Sequence, residues 1–71
     1  MKPLVLWARW HDAKLRLHGR DDEAVWGELV FPEQTQRFHF ELQAQRLTIG
    51  QGQESRRLKL DEMGVEVSGV D

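Results

Sequence analysis

The stretch that decides the fold is Pro3–Gly19, "PLVLWARWHDAKLRLHG". It places two tryptophans, Trp7 and Trp10, three residues apart with Arg9 between them. In a strand, successive side chains point to opposite faces. An extended reading therefore separates the two indoles. Leu4, Leu6, Ala8 and Trp10 fall on one side, and Val5, Trp7 and Arg9 on the other. On this reading residues 3–10 form a first strand, "HDAK" a turn, and residues 14–18 a second strand. Trp10 goes to the core and Trp7 to the outside.

The alternation continues down the chain. "KLRLH", "RFHFEL", "RLTIG", "RLKLD" and "VEVS" all alternate apolar with polar residues, the mark of half-buried strands. The spacing predicts seven strands, at 3–10, 14–18, 24–31, 37–43, 46–50, 57–61 and 65–69. Residues 34–45 also admit a helix beginning at Pro32, but Phe38, Phe40 and Leu42 alternate strictly, which favours a strand. The connections are short, as hairpins require. In "DEMG", Asp61 suits the first position of a type I turn and Gly64 the fourth. The last residues, 68–71, are expected to fray.

Matching apolar positions across each hairpin suggests a register. Leu17 is paired with Val25, Leu29 with Phe40, Phe40 with Ile49, Leu47 with Leu60 and Leu58 with Val67. The inward set is Leu4, Leu6, Ala8, Trp10, Leu15, Leu17, Val25, Leu29, Phe31, Phe38, Phe40, Leu42, Leu47, Ile49, Leu58, Leu60, Val65 and Val67. With no helix to cover that face, the expected fold is all-β. It is a small antiparallel meander of six to seven strands curled into a barrel or roll.

Composition bounds the rest. Seventy-one residues make one small domain, residues 1–71, which buries only roughly 60% of its unfolded surface. Zero cysteines rule out disulfides and fit a reducing, cytoplasmic compartment. "PLVLWA" is too short for a signal core, and nothing approaches the ~20 apolar residues of a membrane-spanning helix. A net charge of −2 is the wrong sign for a general nucleic-acid binder, though it leaves room for a local basic face.

That register sets Trp7 opposite His18, Arg9 opposite Arg16, and Arg16 opposite Trp26. Trp7, Arg9, Arg16, His18 and Trp26 then share the outer face of the first three strands. Exposed tryptophan beside arginine is what interfaces enrich at their energetic centres. The plainer alternative is a ladder in which Arg16 stacks between the two indoles and only shields the sheet. Outward strand positions carry seven basic residues (Arg9, Lys14, Arg16, Arg37, Arg46, Arg57, Lys59) against four acidic ones (Glu28, Glu41, Asp61, Glu66). A face of that sign could hold an anionic partner, although basic side chains also guard exposed strands against pairing.

The inventory points away from an enzyme. "TIGQGQES" lacks the spacing of a phosphate loop, no serine stands in a nucleophile elbow, and no thiol exists. His39 and Glu41 in "FHFE" share an outward face, but a flat sheet encloses a metal poorly; no cofactor is expected. The strand rhythm is similar to that of cold-shock and oligonucleotide-binding barrels, without their aromatic-basic strand motifs. The expected function is a non-enzymatic module that binds another protein or a second copy of itself. A single-stranded nucleic-acid binder is the alternative, with Trp7 and Trp26 stacking bases.

Overall fold

The computed structural model describes residues 1–67. Helix α1 (Lys2–Trp10) precedes five strands, β1 (Lys14–Arg20), β2 (Ala24–Val30), β3 (Thr35–Glu41), β4 (Arg46–Ile49) and β5 (Arg56–Lys59). The strands form one antiparallel sheet in the order β1-β2-β3-β4-β5. The sheet is open, with β1 and β5 at its edges, and α1 covers one face. The protein is therefore mostly β, as expected, with five strands in place of six to seven and no closure into a barrel.

The first strand is replaced by a helix. Pro3 sits in the first turn, where its missing N–H costs nothing. Leu4, Trp7 and Ala8 then fall on one helical stripe and are all buried. The stop is a Schellman motif. Asp12 adopts φ 56°, its N–H donates to Arg9 O at 3.2 Å, and Ala13 N–H donates to Ala8 O at 2.8 Å. "HDA" thus ends a helix and does not join two strands.

This reverses the two tryptophans. Trp7 is 1% exposed and Trp10 is 69% exposed. Trp7 stacks on His11 with ring centroids 4.0 Å apart and meets Phe31 edge-on at 6.3 Å. It packs with Leu4, Ala8, Val25, Leu29, Phe38, Phe40, Leu47, Ile49 and Leu60 in a single core. Burying that apolar surface is the main stabilising term available to so small a domain. Trp10 lies on the helix's outer flank, its Nε1 donating to Met63 O at 3.4 Å.

Within β1–β5 the inward positions are those expected except at the end of β1, where Leu17 is 49% exposed and Arg20, not Leu17, stands opposite Val25. Every hairpin is displaced, by an even number of residues except past the bulge in β1. Leu17 faces Gly27 rather than Val25. Phe40 faces Val25 and Leu47. Ile49 faces Phe38, and Leu47 faces Leu58. An even displacement leaves each side chain on its own face. Between β2 and β3, turn geometry causes it. Phe31 N–H donates to Gln34 O at 2.7 Å, so the β2–β3 connection is the tight pair Pro32-Glu33 and β3 begins at Thr35.

β1 carries a bulge between Leu17 and Gly19, leaving His18 unpaired. Gly27 faces it, and a Cβ there would collide with the Arg16 carbonyl oxygen. The absent side chain lets β1 and β2 approach closely.

After β5, Asp61–Gly64 forms the expected turn. Gly64 N–H donates to Asp61 O at 3.1 Å, and Asp61 Oδ1 accepts from Met63 N at 2.8 Å and Val65 N at 3.0 Å. Gly64, at φ 80°, lies against α1, where a Cβ would meet Trp7 N at 2.6 Å. The expected strand at 65–69 is reduced to a single bridge, Leu60↔Glu66; Val65 and Val67 are exposed. Positions 68–69 of that strand, and the expected fraying of 68–71, lie outside the described residues.

Candidate binding face

The sheet face turned away from α1 is uncovered. β2 presents Trp26, Glu28 and Val30 there, and its neighbours follow by register. Three rows cross the sheet. Arg16 faces Glu28, which faces Arg37. Gly19 faces Trp26, then His39, Thr48 and Arg57 follow in turn. Ala24 leads to Glu41, Arg46 and Lys59.

Trp26 is 37% exposed and firmly positioned. Its indole lies across Gly19, so close that a Cβ there would stand 2.8 Å from Cζ2. An aromatic covering an edge-strand glycine in this way shields otherwise bare backbone. On its other side the ring runs parallel to His39, with centroids 6.3 Å apart and planes 13° apart.

The charges on this face are unequal. At its strand positions Lys14, Arg16, Arg37, Arg46, Arg57 and Lys59 stand against Glu28 and Glu41, and Glu54 joins Glu28 in lining a depression beside Arg37. Both strand carboxylates are engaged. Glu28 Oε1 lies 3.8 Å from Arg16 Nη1 and 3.6 Å from His18 Nε2, and Glu41 Oε1 lies 3.4 Å from Arg46 Nη1. Such exposed pairs contribute only ~0.2–1 kcal/mol each. Among the described residues Lys14, Arg37, Arg57 and Lys59 form no ion pair. Arg37 is nevertheless held. With the Gln51 amide oriented to satisfy both side chains, its oxygen accepts from Arg37 Nε at 2.9 Å and Nη1 at 3.0 Å.

The basic zone has an acidic border. Asp21, Asp22, Glu23, Glu41 and His39 line an open depression of about 540 Å³ at the β1–β2 turn. Asp21 Oδ1 accepts from Glu23 N and Ala24 N, each at 2.8 Å. These two hydrogen bonds to the charged form hold its carboxyl below the ordinary Asp value, and the nearby His39 acts in the same direction.

Of the five residues that the sequence reading grouped, Arg16, His18 and Trp26 are brought together. Trp7 and Arg9 are not, because α1 carries them to the opposite side of the sheet, Trp7 into the core and Arg9 into solvent. Trp7 therefore does not face His18, and no Trp7–Arg16–Trp26 ladder forms. Sequence reasoning missed the central row of His39, Thr48 and Arg57. Their outward parity was legible; their adjacency to Trp26 depended on the turn at Pro32-Glu33.

Among the described residues no three His, Asp or Glu side chains gather closely enough to hold a metal ion, and no helix is long and apolar enough to cross a membrane. Comparison with family models, with curated proteins and with solved structures returns no match.

Proposed function

We propose that this chain is a non-enzymatic, cytoplasmic binding module that contacts another protein through the outer face of its sheet. The observation that carries the reading is Trp26, a large indole fixed over Gly19 and against His39 yet left partly open to solvent. A rigid, pre-positioned aromatic loses little entropy on binding, and arginine and tryptophan recur at interface hot spots. Arg16, His18 and Arg37 lie on the same face around Glu28, the next outward residue of β2. The cytoplasmic assignment rests on the lack of cysteine.

The test is photo-crosslinking in the native host, with benzoylphenylalanine at Thr48 on the outer face or at Val5 on α1. Thr48 should yield a discrete protein adduct that disappears when Trp26→Ala is added, and Val5 should yield none. Equal adducts from both positions, or none from Thr48, would refute the reading. The parallel Trp26 and His39 rings inside a basic surplus favour a second reading, a single-stranded nucleic acid stacked on them. A nuclease-sensitive adduct at Thr48 would select it.

A further inference from the structure

Resting on the protein-binding reading of this face, we propose that the partner presents a short acidic segment, Asp or Glu interleaved with apolar residues, laid across the sheet from β2 to β5. Charge complementarity carries the assignment. The two strand carboxylates of the face are already matched by Arg16, His18 and Arg46, whereas Lys14, Arg37, Arg57 and Lys59 form no ion pair among the described residues, Arg37 included although Glu54 lines the depression beside it. Arg37 on β3 and Arg57 on β5 are separated by two strand spacings and one row, two residues along the strand, about 12 Å. An extended peptide covers that span in three to four residues at ~3.3 Å each. Thr48 on β4 lies between the two cations, His39 stands next to Arg37 on β3, and Trp26 on β2 lies beyond His39. An apolar side chain next to the carboxylate on Arg37, on its β2 side, would rest on those rings.

The same geometry disfavours a long polyanion. The basic zone stops at the depression lined by Asp21, Asp22, Glu23 and Glu41. A strand of phosphates continuing past His39 would meet four carboxylates, while a segment of a few residues ends before them. A polynucleotide also needs successive stacking platforms along its path, and this face offers a single indole. Glu28 is the internal competitor, because it holds Arg16 and His18 that the incoming carboxylates would otherwise engage.

The experiment titrates the isotopically labelled chain, followed by amide and indole resonances, with three probes. These are an acetylated and amidated Glu-Leu-Glu-Glu-Leu-Glu peptide, its lysine counterpart, and a ten-residue oligothymidylate. The acidic peptide should shift Trp26, Arg37, His39, Thr48 and Arg57, and should weaken with added salt; the lysine peptide should do nothing. Arg37→Glu and Arg57→Glu should each weaken binding by about fivefold or more, Glu28→Gln should tighten it, and Arg9→Glu should leave it unchanged. Well-dispersed spectra establish that each variant is folded. If Arg9→Glu weakens binding as much as Arg57→Glu, the attraction is only general and the proposal fails. Concentration-dependent shifts of the same residues without peptide would assign the face to a second copy and also overturn it. If the acidic peptide fails while the Trp26-dependent protein adduct persists, only the acidic-segment proposal falls. If the oligothymidylate binds this face more tightly than the peptide, the protein reading falls with it.

Discussion

Trp26 covers Gly19 across the β1–β2 pair, with its indole edge where a Gly19 side chain would stand. The glycine makes room for the ring, and the ring shields the glycine's backbone at the sheet edge. Gly19→Ala should therefore tilt the indole outward, raising Trp26 accessibility to iodide and costing about 1 kcal/mol in chemical denaturation. Trp26→Ala should cost a similar amount, because it uncovers the same backbone. A Gly19→Ala protein with unchanged quenching would show that the ring does not rest there.

Trp7 and Trp10 should behave as opposites. Trp7 is buried among Leu4, Phe31 and His11, so Trp7→Ala should cost on the order of 3–5 kcal/mol, enough to unfold much of a domain this small. Trp10→Ala should fall within about 0.5 kcal/mol of the parent. Trp7→Phe should lose less than Trp7→Ala, partly because the Trp7 Nε1 donor is buried without a partner among the described residues. Equal denaturation midpoints for Trp7→Ala and Trp10→Ala would contradict the packing.

β1 to β5 were legible in the sequence because period-2 alternation persists over each of them, and parity survives an even slip of register. The bulge at His18, which no alternation announces, is where it fails, leaving Leu17 exposed. Phe40 was correctly read as central and is fully buried. The N-terminal segment was misread for a physical reason. Over nine residues, Leu4-Leu6-Ala8-Trp10 satisfies a strand and Leu4-Trp7-Ala8 satisfies a helix, so an apolar run this short fixes neither period. Pro3 near the start and Asp12 at the stop decide for the helix, and neither stands out until the apolar stripe is known. Most of the candidate face survived that error. Arg16, His18 and Trp26 lie on strands read correctly, whereas Trp7 and Arg9 left with the helix.

Asp12 holds a left-handed conformation, φ 56°, at the Schellman position where glycine is favoured. Asp12→Gly should relieve that strain and raise stability by about 0.5–1 kcal/mol, against which the extra freedom of the unfolded chain subtracts a part. Asp12→Val, β-branched, should lower it. Matched urea denaturation of the three proteins decides the order.

Gly27 should tolerate nothing larger. Its missing side chain is where the Arg16 carbonyl passes, beside the bulge at His18, and backbone cannot rotate away as a side chain can. Gly27→Ala should cost on the order of 3 kcal/mol and should broaden the amide resonances of β1 first, because β1 is an edge strand whose ladder pairs with β2 alone. A Gly27→Ala protein as stable as the parent would place the bulge elsewhere.

Asp21 ties the β1–β2 turn to pH. Its carboxylate accepts from Glu23 N and Ala24 N, and these bonds lower its pKa in the folded state. A group whose folded pKa lies below its unfolded value binds fewer protons when folded, so its stabilisation is complete above the unfolded pKa and disappears as pH falls through the folded one. For Asp21 that window opens near the ordinary Asp value of about 4 and extends below it. Asp21→Asn removes the charge while keeping an acceptor oxygen. The difference in unfolding midpoint between parent and variant should therefore be present at about pH 5 and shrink as the pH drops below about 4. His39 adds a smaller contribution in the same direction, so His39→Gln should narrow the difference without abolishing it. A difference that grows as the pH falls from about 5 to about 3 would mean that the Asp21 carboxyl is held in its protonated form, and the hydrogen bonds at the turn would have to be reassigned.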